Sequence, residues 1–332
     1  MRNLPAALGV LAVGLFGAGA SRTAAEPNAA FALIVPYFSV VGDKRGSDSV
    51  SVYLIDGSNG SVIRATGSPF TAGRDPHAEA LAPGGRFAYV VNDGTHNVSA
   101  YGLSPSTGAL KPVVGSPFAV DYSPSGFREI TIDPDGKFAY VVSDAGVSAF
   151  SIDATTGALR SVTGSPFARA RSDGFGTASI AVDPSARFAY VLNHAANTIS
   201  AYSIETTGAL TPAGSSLDAG QNGNDLESFA RVRIDPKGKF LYVTGRTWVY
   251  VYAIDTTSGA LAPPAHVSLG IGDNVVRAFA IDPAGKFAYA IDDGHVYSYT
   301  IDATSGAPKA VAGRRFALTT GTFPDKITID PT

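Results

Sequence analysis

Short apolar runs alternate with turns rich in Gly, Pro and Asp along most of the chain. Past the N-terminus no long segment keeps a helical period, so the pattern predicts strands throughout. Phe138 to Val142 is a continuous apolar run, as expected of a strand covered on both faces. One phrase returns around such runs, Ile-Asp-Pro-x-Gly-Lys-Phe-Ala-Tyr-Val. It stands at Ile132 to Val141, Ile234 to Val243 and Ile281 to Ala290, with looser copies at Leu81 to Val90 and Val182 to Val191. Its phenylalanines, Phe87, Phe138, Phe188, Phe240 and Phe287, are 51, 50, 52 and 47 residues apart. That period belongs to the blades of a β-propeller, not to helical repeats.

Each period divides into four β segments: one ending in Asp-Pro, the Phe-Ala-Tyr-Val run, a third such as Val147 to Ile152, and a fourth after Thr-Gly-Ala-Leu. The fourth often ends in Gly-Ser-Pro-Phe, as at Gly67 to Phe70, Gly115 to Phe118 and Gly164 to Phe167. Asp133-Pro134-Asp135-Gly136 has Pro where a type I turn fixes φ and Gly where the next residue turns left-handed. Ala186 replaces that glycine in one repeat, which predicts mild strain. Asp153 to Gly157 is a second turn, so each blade is a four-stranded antiparallel sheet.

The two ends complement one another. Residues 31 to 35 align with the second strand of a repeat whose first strand is missing, and residues 327 to 331 form a first strand with nothing after it. Pairing them in one blade closes a ring and removes open edges. The expected architecture is therefore all-β, a six-bladed propeller closed by N- and C-terminal strands. Seven blades is the alternative if Ser39 to Ser49 or Leu217 to Ser228 holds extra strands.

Composition narrows the setting. Charged residues are 16% and apolar residues 45%, which favours a large core over disorder. The net charge is −3 and no basic run occurs, so nucleic acid is not an expected partner. With no cysteine, disulfides, zinc-thiolate centres and thiol nucleophiles are excluded. Met1-Arg2, the apolar stretch Leu4 to Gly19 and the small residues of Thr23-Ala24-Ala25 read as a signal peptide over 1–25. Residues 26–332 then form one propeller domain, secreted, periplasmic or at the cell surface, monomeric, with no membrane span after cleavage.

Chemistry concentrates just ahead of the Asp-Pro and Ala-Pro pairs, where first strands begin. Six positions before the proline stand His77, Arg128, Ala178, Ala230, Arg277 and Asp325. Five before stand Ala78, Glu129, Ser179, Arg231, Ala278 and Lys326, and four before stands Glu79, where the other repeats have Ile130, Ile180, Val232, Phe279 and Ile327. This ring of charge is unusual in a chain so sparse in it. His96, His194 and His295 fall in expected turns, His266 in a loop and Trp248 in a blade turn, and none has metal-ligand spacing. Asp292-Asp293-Gly294 reads as Asx-turn chemistry.

Pro-x-Gly-Lys-Phe-Ala-Tyr-Val, Val-Ser-Ala-Tyr and Thr-Gly-Ala-Leu together resemble the lactonase-type propellers, which include 6-phosphogluconolactonases and carboxymuconate lactonising enzymes. They are equally similar to surface repeats named for Tyr-Val-Thr-Asn, with Tyr242-Val243-Thr244-Gly245 as the nearest match. The resemblance covers 31–332, and its members usually carry seven blades. It implies a His six residues before a blade proline, matched by His77. It further implies proton handling by His77 and Glu79, with Arg128 and Arg277 holding a carboxylate or phosphate. Glu129, Arg231 and Asp325 join the substrate-binding set by their place in the ring. No cofactor or metal is expected. Two functions stay open: hydrolysis or isomerisation of a small lactone or anion at the central channel, and a non-catalytic binding or scaffold propeller in the periplasm or at the surface, its partner a small anionic molecule, a lactone or a protein ligand.

Overall fold

The computed structural model describes residues 29–34, 48–56, 62–120, 127–143, 145–167, 177–194, 196–219, 230–272 and 274–317. These form six antiparallel sheets and no helix. No helix among them is long and apolar enough to cross a membrane. Sheet I contains Ala29–Ile34, Ser49–Asp56 and Val62–Arg64. Sheet II contains Pro76–Leu81, Phe87–Asn92, Asn97–Leu103 and Leu110–Pro112. Sheet III contains Phe127–Ile132, Phe138–Ser143, Gly146–Ile152 and Leu159–Ser161. Sheet IV contains Thr177–Val182, Phe188–Asn193, Thr198–Ile204 and Leu210–Pro212. Sheet V contains Val232–Ile234, Phe240–Thr244, Trp248–Ala253 and Ala265–Ser268. Sheet VI contains Ala278–Ile281, Phe287–Ile291, His295–Ile301 and Pro308–Ala317.

Sheet I lacks a first strand among the described residues, and Ala29–Ile34 pairs with Ser49–Asp56 as second strand with third. The expected closing partner at 327–331 lies outside the described residues, as do the signal segment 1–25 and Asp325. First strands of sheets II to VI approach one another in succession, so they are the innermost strands around the axis.

The continuous apolar second strand is explained by two neighbours. Tyr89 and Val91 pack into a core shared with sheet III, while Ala88 and Val90 pack into one shared with sheet I. Phenol groups then tie sheet to sheet. Tyr89 donates to the Gly157 carbonyl of the next sheet at 3.0 Å, Tyr140 to Gly208 at 3.2 Å, Tyr190 to Gly259 at 3.1 Å and Tyr242 to Gly306 at 2.9 Å. The phenylalanine two residues before each tyrosine lies against the same glycine, leaving no room for a Cβ. Third-strand tyrosines reach the other way, Tyr101 to the Thr71 carbonyl and Tyr252 to that of Asp218, both at 2.6 Å. Burial pushes the phenols of Tyr89, Tyr140, Tyr190 and Tyr242 far above their ordinary value, so they remain donors.

The turns follow the expected chemistry. Asp133 Oδ1 accepts from the backbone N–H of Lys137 and Phe138, and Asp235 Oδ1 does the same for Lys239 and Phe240. Ala186 has φ 55°, the strained conformation expected where glycine is missing. Three placements differ from expectation. Trp248 and His266 are strand residues, stacked on each other with ring centroids 4.1 Å apart. The β-propensity of their neighbours, Val249 to Val251 and Val267, outweighs the turn-like look of Arg246-Thr247. His295 opens a third strand rather than sitting in the turn before it.

Candidate active site

The site is built on first strands, whose register departs from a regular ladder at one position. In sheet II Pro76 pairs with Asn92 and Ala78 with Val91, so His77 is the extra residue of a β-bulge. Arg128 is the extra residue in sheet III and Ala178 in sheet IV. In sheets II to IV the position six ahead of the proline is thus a bulge position, where a strand re-aims its side chains. Just before His77, Asp75 adopts φ 52° and the loop is pinned to the next turn. Asp93 N donates to the Asp75 carbonyl, Gly94 N to that of Arg74, and Gly73 N to Asn92 Oδ1. These bonds hold Asp75 in a left-handed conformation that Asp adopts more readily than most residues.

Beyond the bulge the strands alternate. The position four ahead of the proline is buried between sheets as Ile130, Ile180, Val232 and Phe279. Glu79 takes that register position in sheet II and is half-buried, a carboxylate where four repeats place hydrocarbon. The position five ahead carries the polar contacts. Glu129 of sheet III reaches sheet IV, its Oε2 accepting from Ser179 Oγ at 2.6 Å and from Ile180 N at 3.3 Å. Its Oε1 accepts from Arg233 Nη1 of sheet V at 3.4 Å. Val232 N in turn donates to Ser179 Oγ at 3.2 Å. One carboxylate, one hydroxyl and one guanidinium therefore span three consecutive first strands. The Glu129 and Arg233 side chains retain 19% and 32% of their exposure, so solvent reaches them.

The other expected residues divide. Arg231 lies two residues from Arg233 on the same face, its Nη1 donating to the Ala230 carbonyl at 3.0 Å. Arg233 Nη1 is held in the same way by the Val232 carbonyl at 2.8 Å. Arg277 forms a two-pronged pair with Asp293, Nε to Oδ1 at 2.7 Å and Nη2 to Oδ2 at 2.9 Å, at the turn after the second strand of sheet VI. Arg128 belongs to a first strand, but its side chain lies outside the described residues. No group of three His, Cys, Asp or Glu among the described residues is placed to hold a metal. Asp292 is an Asx-turn acceptor for Gly294 N and His295 N, with Asn274 and Tyr297 on its other oxygen. Burial opposes its ionised form, but these hydrogen bonds outweigh it and hold the carboxyl below its usual range.

Ser179 and Arg233 were not singled out from sequence as site residues. Ser179 stands at the correct offset and differs from its counterparts in the other repeats, a signal hidden by the commonness of serine. Arg233 lies three before the proline, at an offset occupied by Ala80, Thr131, Ala181 and Ala280 elsewhere, and that contrast was legible.

A family model described as "Lactonase, 7-bladed beta-propeller" matches residues 37–123, 72–224 and 214–318. Among curated proteins none matches the chain by sequence. Solved structures share the fold at low identity. A Lactobacillus plantarum protein is 18% identical with a TM-score of 0.69, over 95% of this chain and 86% of that one. The periplasmic gluconolactonase PpgL of Pseudomonas aeruginosa is 18% identical with a TM-score of 0.66, over 95% and 97%. Hydrazine synthase of Kuenenia stuttgartiensis is 17% identical with a TM-score of 0.57, over 86% and 87%. Likeness at this level speaks for the fold and not the reaction. The family description counts seven blades, and the described residues here form six sheets.

Proposed function

The chain belongs to the lactonase family of β-propellers, and from that premise we propose that it hydrolyses a small lactone outside the cytoplasm, at the axial cluster of Glu129, Ser179 and Arg233. The observation that carries this is the cluster itself. It is the place where three near-identical repeats each substitute a different polar residue, and the three meet. In the proposed reaction Glu129 takes a proton from water as its oxygen bonds to the lactone carbonyl carbon. The guanidinium of Arg233 offsets the charge that develops on the carbonyl oxygen. Collapse breaks the bond to the ring oxygen, and the proton taken by Glu129 passes by way of water and His77, on the adjoining first strand, to that oxygen, which leaves both side chains as they began. The product is a hydroxy acid. Glu79 supports proton handling beside His77, and Arg128, Arg231, Arg277 and Asp325 belong to the wider proposal as groups that receive the substrate. The extracytoplasmic setting is supported by the signal-like residues 1–25.

Titrating the acid released from D-glucono-1,5-lactone tests the reading, with the mature chain, Glu129→Gln and His77→Ala compared. Loss of about 100-fold or more in either variant is expected of a proton-transfer group. Rates equal to wild type in both would sink the assignment. A second reading is favoured by one fact, that the Glu129 oxygens are already bonded to protein groups. In that case the propeller binds a hydroxy acid without turning over the lactone, and calorimetry with gluconate shows binding where the titration shows no acid release.

A further inference from the structure

We infer that Ser179 is a positioning residue, whose hydroxyl fixes the Glu129 carboxylate in the orientation that serves the reaction. This rests on the reading of the axial cluster as a lactone site. Ser179 is fully buried, with none of its surface exposed. It stands five residues before its blade proline, where the other described repeats have Ala78, Glu129, Arg231 and Ala278. Its hydroxyl is therefore not part of the scaffold that the repeats share.

The direction of its bonds follows from donor counting. A serine hydroxyl has one proton and two lone pairs. Val232 N–H can only donate, so it occupies a lone pair of Ser179 Oγ at 3.2 Å. That leaves the single proton directed at Glu129 Oε2, 2.6 Å away. Ile180 N donates to the same carboxylate oxygen, so Oε2 is held by sheet IV while Oε1 faces Arg233 of sheet V. The carboxylate plane is thus set by one strand, and its other oxygen is presented to a guanidinium. A nucleophilic serine is a different arrangement, since it needs an exposed oxygen and a base that accepts its proton as it attacks. Burial of Ser179 leaves no path for a substrate carbonyl to its Oγ. It acts through Glu129 only.

The test compares Ser179→Ala, Ser179→Thr and wild type in lactone hydrolysis. A hydrogen bond to a charged group carries enough free energy for roughly ten-fold or more in rate. Ser179→Ala is expected to lose about that factor in kcat with KM nearly unchanged, and Ser179→Thr, which restores the hydroxyl, to recover most of it. An unchanged kcat in Ser179→Ala, or no recovery in a folded Ser179→Thr, would overturn the inference. If Ser179→Ala does not fold, Ser179→Cys keeps the volume with a weak donor and reads the same loss. A second readout is independent of turnover: the side-chain N–H resonance of Arg233, assigned by its disappearance in Arg233→Lys. It is expected to move in Ser179→Ala toward its place in Glu129→Gln, and to stay put in Ser179→Thr. Should wild type hydrolyse no lactone, the functional reading falls. The Arg233 resonance alone then decides whether Ser179 holds Glu129, an unmoved peak in Ser179→Ala being the refuting result.

Discussion

Gly157→Ala probes the joint between sheets II and III. Gly157 has φ +75°, and a Cβ there would sit 2.3 Å from Cδ1 and 2.6 Å from Cε1 of Phe87. Phe87 is itself buried, with the Arg86 guanidinium 5.4 Å above its ring centroid, so the ring has little room to yield. Two costs therefore add. A left-handed alanine costs about 1–2 kcal/mol, and overpacking a filled contact costs about 1–3 kcal/mol more. Gly84→Ala isolates the first cost, because Gly84 has φ +81° and nothing lies within 4 Å of its would-be Cβ. Urea unfolding followed by circular dichroism should lower the midpoint of Gly84→Ala modestly and that of Gly157→Ala by roughly twice as much or more, at an unchanged m-value. Tyr89→Phe, which removes the 3.0 Å bond to the Gly157 carbonyl, should cost about 1 kcal/mol alone and less in the Gly157→Ala background. Equal shifts for Gly84→Ala and Gly157→Ala would refute the reasoning. The glycine would then be required by backbone conformation only, and the phenylalanine contact would be incidental.

Ala186→Gly should stabilise by up to about 1 kcal/mol, because it relieves a φ of 55° at a turn where Gly136, Gly238 and Gly285 serve elsewhere; calorimetry reads this as a raised Tm. Arg277→Ala breaks a pair whose Asp293 side chain is 48% exposed, so stability should fall by no more than about 1 kcal/mol; KM for the lactone should rise, and an unchanged KM would remove Arg277 from the groups that receive the substrate. Asp153, Asp255 and Asp302 are held below the ordinary carboxyl value of 3.8, foremost by backbone N–H donors of Thr156, Thr257 and Ser305 respectively. A depressed folded value adds stability above the unfolded pKa and loses it as pH falls through the folded one. Tm should therefore be flat from neutrality to about pH 5 and drop below about pH 4, with a shallower drop in the triple Asp→Asn variant.

The fold was legible because each repeat states its own turns. Asp133, Asp183 and Asp235 predict their turns from type and position, and the second strands announce their two-sided burial by keeping both alternating faces apolar or aromatic up to a final Asn, Ser or Thr. Trp248 and His266 were misplaced because local turn chemistry in Arg246-Thr247 competes with cross-strand pairing, which a sequence does not display. The axial site was half legible. Glu129 and Arg231 stand out as charges in an apolar chain, but Ser179 and Arg233 acquire meaning only when three strands remote in sequence are set side by side. The Glu129 to Arg233 contact joins residues 104 positions apart. The bulges at His77 and Arg128 were equally invisible, since an extra residue shows itself only in the pairing register.

The tyrosine-to-glycine joints recur at separations of 68, 68, 69 and 64 residues, so every middle repeat carries a plug for the sheet ahead and a socket for the sheet behind. A coding unit of that kind can be duplicated or deleted in frame and still mate with both new neighbours. Blade number is then an easily varied trait, limited by ring geometry rather than by interface invention. Copy number can drift within one lineage while the residues at the axis diverge separately, each repeat free to acquire its own polar side chain.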